Sequence, residues 1–369
     1  MPAGGSNRLL WLSKETPDRD GHGGQRRQFF QLHELCRAGA DVTALTLAGP
    51  QSDDSISEMV RVIRFRSRRF ARRPTPDPVE LATAGGFDRV VIAHAESLDL
   101  LRGRHGQIPV PWLLDFQNVN SRWYDRLGDD SATAFWIPIE REILAHADAN
   151  LTCSVAETEA LLVQSATARV RTAPNGIDPA EWPDSALGKR DDTTVAMYGS
   201  WWYPPNRDAI EWFLAKLWPR IRAAVPAARL VVAGPGEPPE VVRQAAAVDV
   251  LGRVDDIAAL LGTVRVVALP ILDGPGTPVK FAESLASGAA VAATTDAASG
   301  NPDAPAVLTN DPDLLADGIA GLLTNADAAT QLGAAGRNYA LTRCTWEVTQ
   351  RPLVEWALHG QFDVSARAS

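Results

Sequence analysis

Short apolar runs alternate with amphipathic segments along nearly the whole chain. RLLWLS (8–13) is followed by a polar loop, a stretch of helical spacing over about 25–37, and a second apolar run, DVTALTL (41–47). This alternation predicts a βαβ unit. Within the helical stretch Phe29, Leu32, Leu35 and Cys36 share one face, and Gly39 ends it. VVIAH (90–94), WLLDF (112–116) and ANLTC (149–153) are apolar throughout, the pattern of strands covered on both faces of a parallel sheet. Residues 1–185 therefore read as one doubly wound α/β domain.

The stretch ALGKRDD (186–192) is polar and aperiodic, and a second series starts after it. VAMYG (195–199), a helix over 206–224, ARLVVAG (228–234), a helix over 238–247, VDVLG (248–252), a short helix after Asp255, VRVVALP (264–270), a further helix and AVAAT (290–294) predict a second parallel α/β domain over 193–344. TWEVTQRPLVEWALH (345–359) reads as a terminal amphipathic helix that crosses back to the first domain.

Composition narrows the function. A chain of 369 residues exceeds the size at which one core usually divides, and 45% apolar residues supply both cores. The net charge of -9 disfavours nucleic acid as partner and leaves at most peripheral contact with a membrane. Cys36, Cys153 and Cys344 are too scattered for a disulfide framework or a clustered zinc motif, and no cofactor is expected. With no apolar run near the ~20 residues of a membrane span, a cytoplasmic protein is the expectation.

Ligands of open parallel sheets bind beyond the carboxyl ends of the strands, so the loops there carry the candidates. GPGTPVKFAESLASG (274–288) follows a buried-type strand. Gly274 and Gly276 permit close backbone approach, and Pro278 suits a first helical turn. Lys280 then lies at the positive end of a helix, where an anion would relieve it. Its alternative is a solvated pair with Glu283. His94 ends a strand and is open to a structural or a functional reading. Trp201 and Trp202 read equally as core or as stacking groups. RVIRFRSRRFARR (61–73), with seven arginines, is a solvated strand and loop or a surface that steers a phosphate-bearing or membrane-bound acceptor.

The stretch GPGTPVKFAESLASGAAVAATT resembles the donor-site signature of family 4 retaining glycosyltransferases. YGSWWYPPNRDAIEWFLAKLWPRI, VLGRVDDIAALL, TAPNGID and DGHGGQRRQFFQLHELCRAGADV are similar to further segments of that family. The resemblance implies a GT-B fold: two Rossmann-like, doubly wound parallel-sheet domains facing a central cleft, the first for the acceptor and the second for a nucleotide diphosphate sugar. It places Lys280 on the donor diphosphate, Glu283 on the ribose, and Gly23 and Gly24 near the phosphates or sugar. His94 contacts the transferred sugar, and His94 and Lys280 are the catalytic candidates. Gly199, Arg253, Gly276 and Thr277 complete the donor set.

Three departures stand out. Pro275 occupies the position of the usual sugar-binding Glu, and the Arg expected after the first strand of the second domain is missing, since Gly199 and Ser200 run into WWYPPN. Lys280 would carry most of the phosphate charge, with Arg253 or Arg26 as helpers. Gln117 stands where relatives often have His. The activity implied is transfer, with retention, to a small-molecule, glycan or lipid-linked hydroxyl, without metal. A non-catalytic sugar-nucleotide-binding partner subunit and a nucleotide-sugar epimerase are the alternatives.

Overall fold

The computed structural model describes residues 7–47, 56–65, 76–272, 274 and 277–362. Gly276, Pro275 and the arginine-rich stretch beyond residue 65 lie outside the described residues.

The apolar runs form two parallel sheets. The first holds β1 (Arg8–Ser13), β2 (Asp41–Leu47), β3 (Arg61–Phe65), β4 (Arg89–Ala93), β5 (Trp112–Asp115), β6 (Ala149–Thr152) and β7 (Val170–Thr172), in the order β3-β2-β1-β4-β5-β6-β7. The second holds β8 (Asp191–Tyr198), β9 (Arg229–Ala233), β10 (Val248–Gly252), β11 (Val264–Leu269), β12 (Ala290–Ala293) and β13 (Val307–Leu308), in the order β10-β9-β8-β11-β12-β13. Strand order reverses between β1 and β4 and again between β8 and β11, which creates a switch point in each sheet. The register there pairs Leu12 with Ile92 and Ala196 with Val267.

Each sheet is buried as its composition demands. Leu10, Leu12, Val90, Ile92 and Leu114 lie in the first core. Val195, Val266, Val291, Phe213 and Phe281 lie in the second. Several helices begin where a side chain accepts from free backbone N–H groups: Asp77 takes Val79 N at 2.9 Å, and Asp311 takes Asp313 N at 2.9 Å.

Proline accounts for most differences from the sequence pattern. The helix expected over 206–224 runs as Pro204–Trp212, a π turn over Phe213–Leu217, and Trp218–Ala224. Pro219 has no N–H to continue the ladder. The helix expected over 238–247 is only Glu240–Gln244, delayed by Pro239 and ended before Ala247, whose φ is 58°. The terminal helix is split into Trp346–Thr349 and Arg351–His359, with Pro352 in the second first turn.

The chain divides into one compact unit of Met1–Asn175 with Thr349–Ser369 and another of Gly176–Val348. This division falls ahead of the polar stretch 186–192, because residues 177–187 pack with the second sheet. Ile177 N donates to Cys344 O at 2.7 Å, and Trp182 is buried in that core.

In the first unit a buried ion pair fixes the helix Gly23–Arg37. Arg27 Nε and Nη2 each donate to a carboxylate oxygen of Asp115 at 2.8 Å, and Arg27 Nη1 donates to Ala173 O at 2.8 Å. Gln31 Nε2 donates to Asp115 at 2.9 Å and to Gln350 at 3.0 Å, and Gln350 donates in turn to Pro174 O at 2.8 Å. Burial alone would lower the Arg27 pKa, but the charge of Asp115 raises it instead. Removing one member of such a pair leaves the other charge buried and unpaired. Arg27→Ala should therefore lower stability by about 3–5 kcal/mol, read from urea unfolding, while the apolar double replacement Arg27→Met with Asp115→Leu should lose less than the single variant. Equal losses would show that the ion pair is not what fixes the helix.

Candidate functional site

The strongest cluster in the second unit forms around Lys280, where β8 ends beside β11. The helix Val279–Ala286 follows β11 and has Pro278 as its N-cap, with no side-chain cap. Lys280 sits in its first turn, half-buried, with Nζ 2.5 Å from Asn206 Oδ1 and 3.2 Å from the Tyr198 carbonyl. Room for the ammonium exists because residue 199 is glycine. A Cβ there would stand 2.8 Å from Lys280 Nζ and 2.7 Å from Asn206 Nδ2. Gly199 also has φ 153°, and its N–H is engaged by Ala233 O at 3.1 Å, so it contributes space and not a free donor.

Glu283 lies one turn on from Lys280. Tyr198 Oη is 2.9 Å from the Lys280 carbonyl, 3.2 Å from Glu283 Oε2 and 3.3 Å from Ser284 Oγ. Burial, with the adjacent charge of Glu283, pushes the Tyr198 pKa well up and keeps the phenol protonated as a donor. Lys280, Asn206, Tyr198 and Trp201 line one small pocket with Pro270 and Ile271. Thr277 is buried just ahead of the helix. Arg253 is exposed in the loop that follows β10.

In the first unit the candidates gather at the ends of β1, β4 and β5. Gly23 and Gly24 are the first residues of the helix Gly23–Arg37 and not part of a loop before it. The helix begins early because His22 and Gln25 form a reciprocal capping box. Gly23 has open space around its Cα, whereas a Cβ on Gly24 would stand 3.0 Å from Gln117 Oε1. His94 follows β4 with φ 53° and ψ 148°, a backbone region that is almost exclusive to glycine. Gln117, just beyond β5, has φ 56°. Both side chains are buried.

His94 Nδ1 is 3.2 Å from Glu96 Oε2, and Asn120 Nδ2 donates to the other oxygen at 3.2 Å. Burial works against the Glu96 carboxylate, yet these hydrogen bonds hold its pKa down to about 2. Glu15 and His22 make a second carboxylate–imidazole contact at 3.5 Å, and that contact lowers the Glu15 pKa and raises that of His22. Two non-glycine residues in left-handed backbone at neighbouring strand ends mark stored strain of the kind found at binding sites.

Sequence reasoning singled out His94, Lys280, Glu283 and the glycines, but not Asn206, Tyr198, Glu96 or Glu15. Tyr198 looked like the last residue of a strand, and Asn206 like part of a polar helix start. The two tryptophans separate: Trp201 is buried in the core and Trp202 is 66% exposed. Among the described residues, no group of three or more His, Cys, Asp or Glu side chains could hold a metal ion, and no helix is long and apolar enough to cross a membrane.

Two doubly wound parallel sheets in one chain, with the candidate residues at the carboxyl ends of their strands, define the GT-B architecture. A family model described as a glycosyl transferase 4-like domain matches residues 23–176, and one described as glycosyl transferases group 1 matches residues 192–325. The chain belongs to the GT-B glycosyltransferase superfamily and is of family 4 type. No curated protein sequence matches it.

Solved structures share the fold at low identity. Sucrose-phosphate synthase from Thermosynechococcus elongatus is 19% identical with a TM-score of 0.71, over 93% of this chain and 96% of that one. HepE from Anabaena, solved in complex with UDP-glucose, is 13% identical with a TM-score of 0.69, over 96% of this chain and 100% of that one. A glycosyltransferase from Rickettsia africae is also 13% identical with a TM-score of 0.69, over 96% and 100% of the two chains.

Burial holds the Lys280 pKa down to about 8 against the opposing pull of Glu283. The same group in the unfolded chain titrates near ~10.4. Between these values the unfolded chain holds a proton that the folded chain has lost, so stability rises with pH across that window. The cost of burying the ammonium is fully present below about pH 8 and fades toward pH 10.4. Measured by urea midpoints, the wild type should gain on Lys280→Met between pH 7.5 and pH 10. A flat difference would contradict the burial of this charge.

Proposed function

We propose that the protein transfers a glycosyl group from a nucleotide diphosphate sugar to a hydroxyl acceptor with retention of anomeric configuration. The observation that carries this reading is the position of Lys280. A half-buried ammonium stands in the first turn of an uncapped helix at the switch point of the second sheet, among neutral ligands. Free N–H groups and a cation at one point make an anion site. The matches to glycosyltransferase families support reading that anion as the donor diphosphate. HepE, of the same fold, was solved with UDP-glucose.

In the reaction the acceptor oxygen bonds to the anomeric carbon, and the bond from that carbon to the diphosphate oxygen breaks. The electron pair leaves with the phosphate, and the departing phosphate oxygen takes the acceptor proton on the same face. Lys280, the helix Val279–Ala286, and Gly276 and Thr277 before it stabilise the charge that develops on the leaving group. Glu283, held by Tyr198, accepts from the ribose hydroxyls. Arg253 shares the phosphate charge, and Gly199 keeps the space that Lys280 occupies. His94, fixed by Glu96 in a strained backbone, contacts the transferred sugar, with Gly23 and Gly24 at the phosphates or sugar. Small-molecule, glycan and lipid-linked hydroxyls are the acceptor classes, and the protein works in the cytoplasm without a metal.

Removing a group that stabilises leaving-group charge costs about 10²–10³ in turnover. Lys280→Ala should show a loss of that order in kcat/KM with an unchanged circular dichroism spectrum, and near-normal turnover would remove Lys280 from the phosphate. Nucleotide affinity of the wild type should also fall as the pH rises above about 8, where Lys280 of the free protein loses its proton.

A second reading, donor binding without transfer, draws on Pro275 and Gln117 in place of the usual Glu and His and on the missing Arg after Gly199. Mass spectrometry of UDP-, GDP- and dTDP-sugars with an acceptor panel separates the two readings. A glycosylated acceptor supports transfer, binding without any product supports the partner subunit, and an epimerised donor without acceptor supports an epimerase.

A further inference from the structure

We infer that Trp202 is a stacking platform for the nucleobase of the donor, an inference that rests on the donor site proposed above. The loop that follows β8 carries two adjacent tryptophans with opposite fates. Trp201 is an anchor, 2% exposed, whose main-chain N–H donates to Pro235 O at 2.9 Å. Trp202 is 66% exposed, although an indole is among the side chains that gain most from burial.

Its exposure is not that of a loose loop. Arg207 Nη1 donates to Trp201 O at 3.1 Å and to Glu237 O at 3.0 Å, and so clamps the loops after β8 and β9 to each other. The indole rests on Gly236, which has φ 87°. A Cβ there would stand 2.7 Å from Trp202 Cε3, closer than real contacts allow. Glycine at 236 thus serves two ends: a left-handed turn and a seat for the ring.

The sheet order says which part of a nucleotide this ring meets. Lys280 follows β11, on one side of β8, and marks the diphosphate. Trp202 leans over the β9 loop on the other side of β8, toward β10. Neighbouring strands are about 4.8 Å apart, so the loop of β9 lies about two strand spacings from that of β11, within the reach of one nucleotide whose diphosphate is at Lys280. A planar base is the ligand group that an open indole face recognises, and base–aromatic stacking tolerates different bases.

The test is calorimetry of UDP, GDP and inorganic diphosphate with the wild type, Trp202→Ala and Trp202→Phe. Stacking is worth enough that Trp202→Ala should weaken the tighter nucleotide by about tenfold or more. Trp202→Phe should retain most of the affinity, and inorganic diphosphate should bind all three proteins alike. Unchanged nucleotide binding by Trp202→Ala, or an equal loss for inorganic diphosphate, overturns the platform while leaving the donor site standing. A wild type that binds neither nucleotide overturns the donor site and the platform together.

Discussion

Asp115 is the residue on which the first unit turns. Its carboxylate takes Arg27 in a two-pronged contact and also accepts from Gln31, while its main-chain carbonyl accepts the His94 N–H at 2.8 Å. One buried residue at the end of β5 therefore fixes the helix Gly23–Arg37, with its glycine start, and the strained end of β4. A charge in such surroundings is tolerated only if every lone pair is used. That requirement explains why two polar side chains of this helix, Arg27 and Gln31, are buried together with Phe29, Leu32 and Leu35.

The second unit meets the same need, a charged group at a switch point, with less burial and fewer hydrogen bonds. Lys280 is held by one amide and one carbonyl, and burial pulls its pKa down against the opposing charge of Glu283. The difference follows from what each cation does. Arg27 is spent on structure, with its nitrogens facing oxygens of the protein. Lys280 stands half-buried in a helix first turn, with an amide oxygen and a main-chain carbonyl as its hydrogen-bond acceptors. Gly199 shows how closely this seat is fitted, since one added methyl group would collide with the ammonium.

Much of this was legible along the chain. Uniformly apolar runs and helical spacing pointed to two doubly wound sheets, and a glycine-rich turn with proline pointed to the helix that carries Lys280. The partners were not legible. Asn206 is 74 residues from Lys280 and Asp115 is 88 from Arg27. Neither Asn206 nor Asp115 differs in local pattern from an ordinary helix start or strand end. The left-handed backbone at His94 and Gln117 was equally hidden, because neither residue is a type that announces such a conformation.

By itself, then, the sequence determined the elements, their parallel arrangement and the residue types at the strand ends, because these follow from periodicity and from local preferences of proline and glycine. Only the tertiary structure decided which side chains share a charge, where the π turn and the helix breaks fall, and that Trp201 is core while Trp202 is surface. Adjacent residues of identical type can be told apart only by what packs against them, and that packing comes from segments distant in sequence.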